Sequence, residues 1–188
     1  MSHLSSVESY RERVLSLYSN TNLEQIPAII QILYDLFESD GTLYVLGNGG
    51  SYTTTSHFVA DMTIGNQIRN RKVLRVLNLF DNTSNLTAAS NDVSFVEAAE
   101  LLVKSYMVSK DSLLVLSASG ESENLVRAIK QAKQFQSKVI AITGFSGGRV
   151  GKLADINVHI PSRLGDYGPV EDIQLSICHM ITEVWRSL

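Results

Sequence analysis

Five short, apolar-rich runs constrain this chain most: residues 42–46, 73–77, 113–116, 139–142 and 156–160. Runs of this length, with little polar interruption at 42–46, 113–116 and 139–142, predict strands covered on both faces, the condition of a parallel sheet. The stretches between them carry apolar residues at helical spacing, so strand and helix alternate along the chain. Right-handed crossovers then build an α/β fold, an open parallel five-stranded sheet with helices on both faces. In such a sheet ligands sit beyond the carboxyl ends of the strands, which directs attention to the loops after Leu46, Leu116 and Thr143.

Two helices precede the sheet. Val7, Tyr10, Val14 and Leu17 recur at helical spacing over residues 5–18, and Ile26, Ile29, Ile30, Leu33, Leu36 and Phe37 do so over about 22–39. Asn22 is placed to cap the second helix, Pro27 falls in its first turns and Gly41 follows its end. A sheet already covered on both faces could not bury these helices as well, so residues 1–40 are expected to form a helical oligomer core. No repeat or linker divides the 188 residues, which read as one domain, and 44% hydrophobic residues suffice for a large core. The formal charge of −3 argues against nucleic acid as a partner. No apolar run approaches the roughly 18 residues needed to span a bilayer, and the first residues lack a signal-peptide pattern, so a cytoplasmic location is expected. A single cysteine, Cys178, leaves any metal to His and carboxylate ligands.

Two of the strand-end loops carry phosphate-binding chemistry. After the first strand comes Gly47-Asn48-Gly49-Gly50-Ser51, then a helical stretch with Tyr52, Phe58, Val59 and Met62. A glycine turn opening a helix offers free N–H groups and the positive end of the helix dipole, although it also serves as a plain tight connection. Tyr52 stands where a dinucleotide fingerprint needs its third glycine, and no Gly-Lys-Ser/Thr follows, so no nucleotide cofactor is expected. The third strand ends in Ser117-Ala118-Ser119-Gly120-Glu121-Ser122 before a helix over residues 125–135. Ser122 suits an ordinary N-cap, but one hydroxyl is enough for capping, and Ser117 and Ser119 then point to a second phosphate cradle. Ser119 is not a nucleophile elbow, because Ser117 occupies the position of that motif's first glycine.

His57 and Asp61 lie four apart on the helix after the glycine turn and share one face, as a hydrogen-bonded pair or as two metal ligands. Glu171 and His179 are eight apart on the last helix, a rise of about 12 Å. For both to reach one ion, either Glu171 sits on the entering loop and bends back, or a neighbouring subunit donates His179. Cys178 points about 100° away from His179 and reads as core or interface filling.

The pairing of GNGGS with SASGES, followed by AITGFSGGRVGKLADINVHIPS, resembles the SIS (sugar isomerase) domain family, and within it the phosphoheptose isomerase branch. The resemblance implies an aldose–ketose isomerase for sedoheptulose 7-phosphate, working through an enediolate, as a homotetramer with active sites between subunits. It implies that Ser51, Ser117, Ser119 and Ser122 hold the phosphate, and that Asn48 and Asp92, with Gly49 and Asn91 beside them, and Glu171 meet the sugar. The family's catalytic glutamate falls at Asp61, its catalytic histidine at His179 and a site glutamine at Glu171, so two of these three positions differ in residue type. It further implies Zn²⁺ at His57, Asp61, Glu171 and His179. Asp61 and His179 then share the proton transfers of an isomerisation, in an order the sequence does not fix. A non-catalytic phosphosugar-binding or adaptor SIS protein, and an isomerase of a different ketose phosphate, are the competing readings.

Overall fold

The computed structural model describes residues 3–188. The elements are α1 (His3–Asn20), α2 (Ile26–Glu38), β1 (Thr42–Gly47), α3 (Gly49–Ala60), a π-helical turn (Asp61–Gly65), α4 (Asn66–Ile68), β2 (Arg75–Asn78), α5 (Thr83–Asp92), α6 (Phe95–Tyr106), β3 (Ser112–Ser117), α7 (Glu123–Gln134), β4 (Lys138–Thr143), α8 (Gly148–Leu153), β5 (Ile156–His159) and α9 (Tyr167–Ser187). All five strands are parallel, in the order β2-β1-β3-β4-β5.

Strand periodicity divides the apolar runs between two cores. Leu43, Val45, Leu114, Leu116, Ile140 and Ile142 face a layer made by α2, α3 and α9. Tyr44, Leu46, Leu113, Val115, Val139 and Ala141 face α6, α7 and α8. With both faces apolar, each central strand residue has a core to enter, which is why the sequence shows no alternation there.

The second opening helix belongs to this core, contrary to expectation. Ile26, Ile29, Ile30, Leu33 and Leu36 of α2 are buried against the first layer, each burial contributing roughly 1.5–3 kcal/mol. Only α1 lies outside: it has no buried residue, packs Val14 and Leu17 inward, and leaves Leu4 67% and Val7 65% exposed. Asn22 does not cap α2. The cap position is Gln25, and the Asn22 Oδ1 accepts the Glu24 N–H at 2.8 Å in the preceding turn. Pro27 does sit in the first turn, where its missing N–H costs nothing. Residues 73 and 74 of the second apolar run precede β2 rather than forming part of it.

Asp155 ties the second layer to the sheet. Its carboxylate accepts the Val139 N–H at 2.8 Å and the Lys133 ammonium at 2.9 Å. Burial alone would raise its pKa, but the Val139 N–H and Lys133 outweigh it and hold the carboxyl below the ordinary value. A depressed folded-state pKa contributes stability that is complete above the unfolded value and is lost as pH falls through the folded one. Urea unfolding between about pH 6 and pH 3 is therefore expected to show a smaller stability loss in Asp155→Asn than in wild type; equal losses would contradict the assignment.

Candidate active site

Strand order reverses between β1 and β3: the chain leaves β1 for the edge at β2, then returns to pair β3 on the other side. The loops after these two strands therefore diverge and open a crevice at their carboxyl ends. Asn48 and Asn124 bridge it, each side-chain amide donating to the other's oxygen at 3.0 Å. Gly49 turns the first loop with φ +54, and Gly120 turns the second with φ +67. At Gly120 a Cβ would collide with the backbone of Gly147, so only glycine lets the loop after β4 lie against the serine loop.

Asn48, Ser51, Ser117, Ser119, Ser122 and Glu171 line one cavity at this point, with Tyr167 at its side. The Ser117 Oγ accepts the Gly120 N–H at 3.0 Å and the Ser119 Oγ accepts the Glu121 N–H at 3.2 Å. Both hydroxyls thus have their oxygen engaged while their protons remain available for an anion. Ser122 stands at the N-cap of α7, yet its hydroxyl makes no capping bond. Ser51 is the exception: its hydroxyl donates to Gln174 Oε1 at 2.8 Å, and Gln174 Nε2 donates to the Ile142 carbonyl at 3.1 Å. Ser51 has therefore spent its proton inward, and α3 can serve an anion through the free N–H groups of its first turn. Glu171 approaches so closely that a Cβ on Gly50 would meet its carboxylate. Burial, and then the neighbouring Asp172, raise the Glu171 pKa.

At the far end of α3 a second group assembles within one chain. The His57 and His179 Nε2 atoms are 3.2 Å apart, and the Asp61 Oδ2 lies 3.5 Å from the first and 3.7 Å from the second. His179 needs no neighbouring subunit to reach His57 and Asp61. Glu171 does not sit on the entering loop: it lies within α9, two turns before His179, and lines the serine cavity, where a substrate contact is also expected of it. Among the described residues the ligand-type cluster is His57, Asp61 and His179. A straight helix imposes this, since eight residues rise about 12 Å.

The turn that carries Asp61 is a π-helix, a form that concentrates at functional sites. Asn66, fully buried, closes it by donating to the Met62 carbonyl at 3.0 Å and accepting Arg186 Nε at 2.9 Å. Arg186 also lies 3.5 Å from Asp61 Oδ1, leaving Oδ2 for the imidazoles. Cys178 is buried and its thiol is pushed up to about 12 by burial and by Asp61, which excludes a thiolate beside His179. Asn91 and Asp92 end α5, exposed and hydrogen-bonded to each other at 2.9 Å, outside the residues that line the serine cavity. Asn124, Gln174, Asn66 and Arg186 were not foreseen from sequence. Asn124, Gln174 and Arg186 reach Asn48, Ser51 and Asn66 from 76, 123 and 120 residues away, and no local pattern marks such pairs.

Residues 8–144 match the SIS domain family model. A probable phosphoheptose isomerase from Thermoplasma acidophilum is 33% identical over 174 residues, 93% of this chain and 94% of its own length. This chain belongs to the SIS domain family, among the phosphoheptose isomerases. A phosphoheptose isomerase of Chlorobaculum parvum is 31% identical over 95% of this chain and 86% of its own. The solved structure of a phosphoheptose isomerase from Francisella tularensis superposes with a TM-score of 0.92 at 26% identity, covering 100% of both chains. The family's architecture is therefore present from α1 to α9, and the serine cavity lies at its strand-order reversal. Among the described residues, no helix is long and apolar enough to cross a membrane.

Proposed function

We propose that this chain interconverts a ketose phosphate and its aldose, with sedoheptulose 7-phosphate as the substrate. The observation that carries the reading is the pairing, on α3 and α9, of an anion cavity at one end with a carboxylate and two imidazoles at the other. Ser117, Ser119 and Ser122 donate to the phosphoryl oxygens, and the free amides opening α3 and α7 add the positive ends of two helices. Held there, the sugar runs along α9 toward His179, past Asn48 and Glu171, which meet its hydroxyls. Asn91 and Asp92 belong to this reading as sugar contacts made across a subunit boundary.

Isomerisation moves a proton between adjacent carbons by way of an enediolate. Asp61 and His179 share the two transfers: one takes the proton from the carbon beside the carbonyl and the other returns a proton to its neighbour. Arg186 on Oδ1 fixes the carboxylate so that Oδ2 faces the reacting atoms. Incubation with ketose phosphates of five to seven carbons is expected to give aldose only from the seven-carbon substrate; turnover of a shorter one alone would reassign the substrate, and turnover of none would favour a binding protein.

The donor set suits Zn²⁺. Three atoms separated by 3.2, 3.5 and 3.7 Å are close to the roughly 3.3 Å edge of a tetrahedron with bonds of about 2.0–2.1 Å. His57, Asp61 and His179 would hold the ion, which would supply Lewis-acid polarisation of the substrate carbonyl; a ring nitrogen or Oδ2 bound to it would not move a proton, so the proton transfers assigned above to Asp61 and His179 are those of the metal-free site. Equilibrium dialysis against zinc is expected to show one ion per chain in wild type and none in His57→Ala; a wild type that retains no zinc would remove the metal from the account. The exposed apolar side of α1 supports a homotetramer in which it is covered, and a phosphorylated metabolite as substrate supports a cytoplasmic location.

A further inference from the structure

Two carboxylates stand where a phosphate site should have none. Glu121 and Glu123 flank Ser122 directly in the chain, and a phosphoryl dianion bound at Ser122 would lie near two like charges. Arg149, in the first turn of α8, takes up both. Its Nε donates to Glu121 Oε2 at 2.7 Å, its Nη1 to Glu123 Oε2 at 2.6 Å and its Nη2 to the Glu121 carbonyl at 2.8 Å, while its own N–H reaches Glu121 Oε1 at 3.1 Å. The Val150 N–H adds a bond to the Gly120 carbonyl at 2.8 Å, so the arginine is carried by backbone already locked to the serine loop.

We propose that Arg149 is a positioning residue of the phosphate cradle, a charge cover that turns the Glu121 and Glu123 carboxylates away from the bound phosphoryl group and neutralises them. The proposal rests on the serine cavity being the phosphate site. Other bonds already fix the loop: Ser117 and Ser119 cap its own amides, Gly120 abuts Gly147, and Asn124 is tied to Asn48. A guanidinium with three bonds to one glutamate pair, two of them to the carboxylates, is more than the backbone needs, and its pairing with both charges beside Ser122 gives it an electrostatic task.

The test is calorimetric titration with sedoheptulose 7-phosphate of wild type, Arg149→Gln and the triple variant Arg149→Gln/Glu121→Gln/Glu123→Gln, with thermal melts to confirm folding. Arg149→Gln is expected to weaken binding about tenfold or more, by exposing two like charges to a dianion. The triple variant, lacking those charges, is expected to return to within about threefold of wild type and to lose the salt dependence of the single variant. A triple variant as weak as the single one would assign Arg149 to loop geometry alone and overturn the proposal, as would wild-type affinity in Arg149→Gln. Wild-type protein that does not bind the sugar phosphate would instead overturn the phosphate reading, and this proposal with it.

Discussion

Asp61→Asn and His179→Ala are each expected to lower turnover of sedoheptulose 7-phosphate by about 10²–10⁴-fold, the range supplied by a positioned acid or base. Binding should change by no more than about threefold, because neither side chain lines the serine cavity that grips the phosphate. Asp61→Asn is the sharper variant. The amide keeps an oxygen for Arg186, which sits 3.5 Å from Oδ1, and so preserves the π-turn, while removing the carboxylate that faces both imidazoles. A loss in kcat with KM near wild type identifies an interaction made in the transition state. A rise in KM with kcat intact would mean that Asp61 binds sugar and that the proton moves elsewhere.

The second large effect is on the cradle itself. Gly120→Ala is expected to cost about 2–5 kcal/mol of stability, because it combines a left-handed backbone with collision against another backbone. Gly120 has φ +67, and a Cβ there meets the carbonyl and carbon of Gly147 and the nitrogen of Gly148, none of which is the yielding end of a side chain. For a chain of this size the melting temperature should fall by roughly 2–4 °C per kcal/mol. Gly49→Ala is the control. Its φ is +54 but nothing lies within 4 Å of the added carbon, so only the strain of about 1 kcal/mol remains. Equal melting temperatures for the two variants would show that the loop after β4 does not press on the serine loop. Any Gly120→Ala protein that folds should also bind sugar phosphate more weakly, since Ser119 and Ser122 must move with residue 120.

What the sequence made legible follows from where the information lies. Strands β1, β3 and β4 appear as apolar runs because both faces of the sheet are covered, and the two ligand loops follow from the rule that crevices open at strand ends. Serines 117, 119 and 122 were legible because capping accounts for only one hydroxyl. Other features depended on contacts distant in sequence. The burial of α2 could not be separated from that of α1, because both carry one apolar stripe and only packing decides which meets the sheet. Asn22 resembled a cap, but the Asn22 turn comes before the helix that Pro27 opens. Glu171 had two readings, as a metal ligand and as a substrate contact: helical rise showed that it could not share an ion with His179 along one straight helix, and its place in the serine cavity agrees with the substrate contact. The π-turn at Asp61 leaves no periodic trace, since Asn66 and Arg186 stabilise it from positions 5 and 125 residues away.

The central claim is that one crevice holds phosphate at the serine loop and presents the sugar's reactive carbons to Asp61 and His179. A crystal structure of the Asp61→Asn protein with sedoheptulose 7-phosphate tests it most directly. The account predicts phosphoryl density within hydrogen-bonding distance of the Ser117, Ser119 and Ser122 hydroxyls, with the carbonyl end of the sugar lying toward His179. Phosphoryl density bound away from those three serines, or a sugar directed away from α9, would contradict it.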